Sequence, residues 1–160
     1  MKLPNHIKPF WLDYLSEAKL DPEIPVYEIF YFDDNESDAN ELADLVLRGE
    51  KQATASLLCQ YEKGSQRPPQ VGDMSIVTNW DGLPLCIIKT TDVKVIAFQD
   101  VNEDFAADEG EGDLSLEYWR DAHLTYFENV CRELGREMSQ EEPVVCERFQ
   151  MVFPNQNKLA

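Results

Sequence analysis

Three groupings of side chains in this sequence could do chemistry. The first is Lys51 with Thr54, in the run Gly49-Glu50-Lys51-Gln52-Ala53-Thr54-Ala55-Ser56. A lysine can serve as a base only where burial or nearby cations draw its pKa toward neutrality, and a threonine hydroxyl is a poor nucleophile until deprotonated. The second is Asp108-Glu109-Gly110-Glu111-Gly112-Asp113, four carboxylates within six residues. Crowded carboxylates raise one another's pKa and can yield a general acid or base near neutral pH. They could equally hold Mg²⁺ or Mn²⁺ through oxygen ligands. The two glycines would let backbone approach a ligand. The third comprises Trp119, Arg120 and His123, with Glu147-Arg148 further on.

Each grouping has a plain structural alternative. A lysine just past a helix C-terminus complements the helix dipole, and threonine suits a strand. An acidic loop before a helix is solvated and favoured by the dipole. His123 falls on an apolar stripe and reads as a core or boundary residue. Base stacking needs an exposed aromatic, for which Tyr61 and Trp80 are the loop candidates.

These residues must be positioned by elements that hydropathy patterning locates. Ile7, Phe10, Trp11, Tyr14, Leu15 and Ala18 recur at spacings of three and four, predicting a helix from about Pro9 to Lys19. Val26 to Phe32 reads as a buried strand. A second helix is expected from Asp38 to Arg48, with Asp38 and Glu41 as a capping box and Gly49 as its left-handed stop. Ala53 to Leu58 follows as a strand. Side chains three apart on a regular strand face opposite ways, so Lys51 must sit in the turn after Gly49 if it is to act with Thr54. Glu62 to Asp73 reads as loop. Met74–Asn79 and Leu85–Thr90 read as strands joined around Asp81-Gly82, and Val93 to Phe98 continues the β region. Residues 108–113 are expected to be loop, Leu116 to Leu134 a long helix between Ser115 and Gly135, and Val144 to Phe153 a final strand. This order predicts an α+β class with a small curved or closed sheet.

Length and charge narrow the function classes. A chain of 160 residues fits one domain and buries roughly 70% of its unfolded surface. With 14 Lys plus Arg against 31 Asp plus Glu, the net charge is −17. That balance disfavours duplex DNA and general polyanion binding, which needs a basic patch, but leaves room for a nucleoside or a short single strand met locally. No apolar run approaches the ~18 residues of a membrane span. The start of the chain does not read as a signal peptide, and Cys59, Cys86, Cys131 and Cys146 form no C-x-x-C pair. The expectation is a cytoplasmic protein with reduced thiols.

The run Gly49-x-Lys51-x-x-Thr54 resembles the G-x-K-x-x-T-x-R hallmark of the ASCH domain family, with Ser56 in place of the final arginine. Val71-Gly72-Asp73, the 109–116 segment, Trp119-Arg120 and Cys146-Glu147-Arg148-Phe149 extend the likeness to a longer bacterial branch of that family. It covers about Val26 to Pro154. The resemblance implies a small PUA-like β-barrel flanked by helices, in a single domain over 1–160 with its core at about 26–154 and the N-terminal helix packed on it. It also implies an association with RNA, and for one small bacterial member the removal of the acetyl group of N4-acetylcytidine. Carried onto this sequence, it makes Lys51 the base, Thr54 the nucleophile and Glu111, or Glu109, a further acid/base. Gly49, Ser56, Tyr61, Glu109, Trp119, Arg120 and Arg148 are then the expected ligand-binding residues, with Arg148 as a stand-in for the missing arginine. Losing that arginine removes a fixed cation that could orient an oxyanion or phosphate. The expected activity is amide hydrolysis on a modified nucleoside. The alternatives are a non-enzymatic nucleotide- or RNA-binding module, and a Mg²⁺- or Mn²⁺-dependent ribonuclease using residues 108–113.

Overall fold

Aromatic stripes and β-branched runs set the elements of this chain, described over residues 2–64 and 66–156 in a computed structural model. Five helices and five strands are described: α1 (Lys8–Glu17), β1 (Glu28–Phe30), α2 (Glu36–Leu47), β2 (Ala53–Leu57), α3 (Leu58–Lys63), β3 (Met74–Thr78), β4 (Pro84–Ala97), α4 (Glu103–Glu109), α5 (Leu116–Glu133) and β5 (Pro143–Pro154). The strands form one sheet in the order β1-β3-β4-β5-β2. The α+β class expected from the element order therefore holds.

The described residues fall into two units, 2–49 with 72–90 and 150–156, and 50–64 and 66–71 with 91–149. In the first, α1 buries Phe10, Trp11, Tyr14 and Leu15, one stripe at helical spacing. That stripe packs with Val26, Met74, Ile76 and Ile87. The Tyr14 hydroxyl donates to Met74 Sδ at 3.3 Å. β1 runs parallel to β3, with Ile29 beside Ile76, and β3 pairs antiparallel with β4, with Ile76 beside Ile87. Every residue of β3 is buried, which explains its unbroken apolar and small-polar sequence.

In the second unit, β2 pairs antiparallel with β5, placing Ala53 opposite Arg148, Thr54 opposite Glu147 and Ser56 opposite Val145. Ala53, Leu57, Val144 and Cys146 face a core built with Phe98, Phe105, Trp119 and Phe127. α5 supplies much of it. Ser115 caps the helix by accepting from the Tyr118 amide at 3.1 Å.

Several expectations need correction. The cap of α2 is Asn35, whose Oδ1 accepts from the Asp38 amide at 2.9 Å, so the cap lies three residues earlier than the Asp38 box implies. β1 is three residues long rather than seven. The expected strands at Leu85–Thr90 and Val93–Phe98 are a single strand, β4. The loop expected from Glu62 begins after α3, whose start is held by Gln60 Oε1 accepting from the Leu57 amide at 2.8 Å; Ser65, within that loop, lies outside the described residues. Asp108 and Glu109 are the last turn of α4, not loop. Asn102 caps this helix through the Phe105 amide at 3.0 Å, and Gly110 ends it in the left-handed conformation at φ +73°.

Gly110 is irreplaceable for a second reason. A Cβ there would collide with the Glu50 carbonyl and come within 3.0 Å of Lys51 Cα. Gly49 is also left-handed, at φ +77°, but nothing lies within 4 Å of where its Cβ would be. Gly49→Ala should therefore cost only the left-handed penalty of about 1–2 kcal/mol. Gly110→Ala adds steric overlap with backbone and should cost at least about 3 kcal/mol. Thermal unfolding of the two variants beside the wild type checks this, and equal losses would refute it.

Candidate functional site

Residues 50–52 enter the second unit as a short extended segment clamped by the end of α4. The Gln52 amide donates to the Asp108 carbonyl at 2.7 Å, and the Phe149 amide donates to the Gln52 carbonyl at 3.0 Å. With Gly110 admitting the Glu50–Lys51 backbone, this clamp turns the Lys51 side chain inward, where its relative exposure is 2%. The ammonium donates to Glu109 Oε2 at 2.9 Å, Glu111 Oε2 at 3.0 Å and the Glu109 carbonyl at 3.3 Å. It thus bridges two carboxylates and also meets the negative end of α4.

Glu109 is held from its other side as well. Its Oε1 accepts from Trp119 Nε1 at 3.1 Å and lies 3.3 Å from His123 Nε2. Trp119 stacks on Phe98 and on His123, the latter with ring centroids 4.2 Å apart. Trp119 is therefore a buried wall of the cluster, not a free stacking surface.

The environment drives the two carboxyls apart. Burial would raise Glu109, but the charges of Lys51 and His123 outweigh it and hold the carboxyl well below the usual carboxylate range. For Glu111, burial raises the pKa, Lys51 lowers it by less, and the hydrogen bond and charge of Glu109 add to the rise, placing it at about 7. Burial would lower Lys51, yet the two carboxylates more than offset this and its pKa lies above the ordinary lysine value. His123 is likewise raised, burial being outweighed by the charge and hydrogen bond of Glu109. One carboxylate is locked ionised, and its neighbour titrates near neutrality.

The other sequence-predicted residues occupy different places. Thr54 is on β2 opposite Glu147, on the face away from Ala53, Ala55 and Leu57, which pack on the core. Ser56 shares that outer face and its hydroxyl is 2.8 Å from the Tyr61 hydroxyl. Arg148 lies opposite Ala53, so it is on the face opposite to Ser56. Its Nε donates to Asp108 Oδ2 at 2.9 Å, its Nη1 is 3.6 Å from Asp92 Oδ2, and its guanidinium stands 5.2 Å over the Phe105 ring. Arg120 donates to the carbonyls of Gln99 and Val101, at 3.1 and 3.4 Å. Gly49 ends α2 as expected. The structure thus brings together Lys51, Glu109, Glu111 and Trp119, and adds His123, whose place on an apolar stripe concealed its polar partner. Trp80 pairs with Tyr31 in the other unit, with centroids 4.9 Å apart.

Glu109, Glu111 and His123 bring donor atoms within 4.8 Å of one another, the arrangement a metal ion would need. The position between the two carboxylates is held by the Lys51 ammonium, and Glu109 Oε1 already accepts from Trp119. The donor set therefore does not fit Mg²⁺ or Mn²⁺, which would need these oxygens for themselves. The thiols are not poised as nucleophiles: all four cysteines are buried, and burial raises each thiol, Cys86 and Cys146 to about 12.

The ASCH domain model matches residues 28–153. The chain belongs to the ASCH domain family. An ASCH domain structure from Lactobacillus crispatus JV V101 is 41% identical, with a TM-score of 0.89 over 96% of this chain and 98% of that one. Protein EF3133 from Enterococcus faecalis V583 is 28% identical, with a TM-score of 0.86 over 96% of this chain and 92% of that one. The hypothetical protein PH0355, at 14% identity and a TM-score of 0.51, covers 80% of this chain and all of its own, and shares the fold. No curated protein matches. The PUA-like α+β fold expected from the motif is thereby established for this ASCH domain. Among the described residues no helix is long and apolar enough to cross a membrane.

Two stability measurements follow from the ASCH cluster. Lys51→Met strands Glu109 as a buried charge and should cost about 3–5 kcal/mol at pH 7. The loss should shrink as pH falls below the ordinary carboxylate range, where protonated Glu109 needs no cation. Glu111 has the opposite sign. Its folded pKa is raised to about 7, so its contribution is full below the ordinary carboxylate value and is lost as pH rises through about 7. Urea unfolding at pH 5 and pH 8 should show the wild type losing stability relative to Glu111→Gln, on the order of 2 kcal/mol. A difference independent of pH would refute the assignment.

Proposed function

We propose that this ASCH domain hydrolyses an amide on a modified nucleoside, with Glu111 as the general acid/base. One observation carries the reading: Glu111 is the solvent-reaching member of the cluster, at 22% side-chain exposure against 2% for Glu109, and its carboxyl titrates at about 7. A group poised at the working pH both takes and returns a proton efficiently. Ionised Glu111 accepts a proton from water as the water oxygen bonds to the acyl carbon. The same carboxyl then returns that proton to the leaving nitrogen as the C–N bond breaks, giving a carboxylic acid and the free amine of the base.

This reading moves the base from Lys51 to Glu111. An ammonium bound by two carboxylates holds its proton, so Lys51 serves as the fixed cation that keeps the cluster assembled and moderates the Glu111 carboxyl. Water takes the nucleophile's place because Thr54 is on the outer strand face. The nucleoside class rests on family membership, with its RNA-related associations, and on a stacking surface beside the loop. Tyr118 lies against Gly112, directly after Glu111, and remains 45% exposed. An exposed ring there suits a heterocyclic base. The charge of −17 favours a nucleoside or a short strand over a long polyanion.

Incubation with N4-acetylcytidine, followed by chromatography, should yield cytidine. Glu111→Gln should reduce turnover by at least ~10²-fold while the fold persists, and the wild-type rate should rise with pH through about 7. Lys51 variants are a poorer test, since they lose stability. Saturable nucleoside binding without product would replace hydrolysis by a binding role for the same site. That second reading is favoured by the near-complete closure of Lys51 and Glu109 from solvent.

A further inference from the structure

His123 approaches the cluster from α5 with both ring nitrogens engaged. Nδ1 is 2.9 Å from the Trp119 carbonyl, and Nε2 is 3.3 Å from Glu109 Oε1. A carbonyl oxygen has no proton to give, so Nδ1 carries one. In a neutral ring, Nε2 would then present a bare lone pair to a carboxylate oxygen, acceptor against acceptor. The same Glu109 oxygen is an acceptor for the Trp119 indole N–H at 3.1 Å. Only the doubly protonated ring satisfies both contacts. The surroundings accommodate the cation. Its ring lies nearly parallel to that of Trp119, at 16°, and is 5.5 Å from Phe127. The charged groups acting on it are Glu109 at the end of α4 and Glu111 in the loop after it. Lys51, before β2, meets it through their shared partner Glu109, and Cys146 on β5 is a neutral thiol near the same carboxylate.

We infer that His123 is a resident imidazolium and the positioning residue of this site: it fixes Glu109 Oε1 while Lys51 fixes Oε2, leaving Glu111 as the group that exchanges protons. The naming of Glu111 as acid/base rests on the function proposed above. The charge on His123 and its hold on Glu109 do not, and can be measured without substrate.

Long-range ¹H–¹⁵N spectra of the labelled protein at pH 7.5 should place both His123 nitrogens in the protonated range. A bare Nε2 at that pH would overturn the inference, because an ordinary histidine, with a pKa of about 6.5, is mostly neutral there. In His123→Gln, which retains an N–H donor but no charge, the ¹³C titration midpoint of the Glu111 carboxyl should move upward from its wild-type value of about 7. A folded variant with an unmoved midpoint would also overturn it, since a merely structural histidine would leave that midpoint alone. Should the variant fail to fold, the wild-type ring spectrum still decides. Absence of turnover on N4-acetylcytidine with a charged His123 would count against the hydrolase reading alone.

Discussion

A single ammonium group organises the second unit of this protein. Lys51 is nearly inaccessible, so its charge has left water, and burial of that kind is tolerated only where hydrogen-bonding partners of opposite sign are already arranged. Two carboxylates and the last carbonyl of a helix provide that arrangement. The local geometry serves this contact. The amide-to-carbonyl bond between Gln52 and Asp108 sets the height of the segment, and the missing side chain at Gly110 lets the two backbones touch. Arg148 ties Asp108 to Asp92, steadying the same helix end.

The cluster is electrically asymmetric although its two carboxylates are near neighbours in sequence. Glu109 is gripped by an ammonium, an indole N–H and the His123 ring, whereas Glu111 meets the ammonium and Glu109 itself and keeps an edge toward solvent. Unequal solvation and unequal partners separate the acidities of paired carboxyls, and such separation lets one hold charge while the other moves protons. Glu142, also buried in this unit, differs in having both of its oxygens held by one guanidinium nitrogen, Nη2 of Arg136.

Sequence patterning located most of this framework. The stripe of α1, the hairpin around Gly82, the stop at Gly49 and the span of α5 with its Ser115 cap all follow from local signals, and the structure bears them out. Helices α3 and α4 escaped because they are six and seven residues long, too short to establish a period. The glycines at 110 and 112 signalled close approach correctly, but what approaches is the chain itself: backbone at Gly110 and the Tyr118 ring at Gly112. Lys51 and Glu111 were legible as candidate residues through the motif and the acidic run. Their mutual contact, and the part of His123, were not, because no local pattern encodes a partner far along the chain.

That distance has a kinetic meaning. Lys51 and Glu109 are 58 positions apart, and Lys51 and Glu111 are 60 apart. Helix turns and hairpins close in microseconds, whereas a pairing across such a loop must first overcome chain entropy. The pairing therefore carries a closure cost that a local contact does not, and Glu109 and Glu111 gain the Lys51 ammonium only when the 50–52 segment docks. Secondary structure alone leaves the charged centre unassembled, because its cation and its carboxylates come from segments that only the tertiary fold brings together.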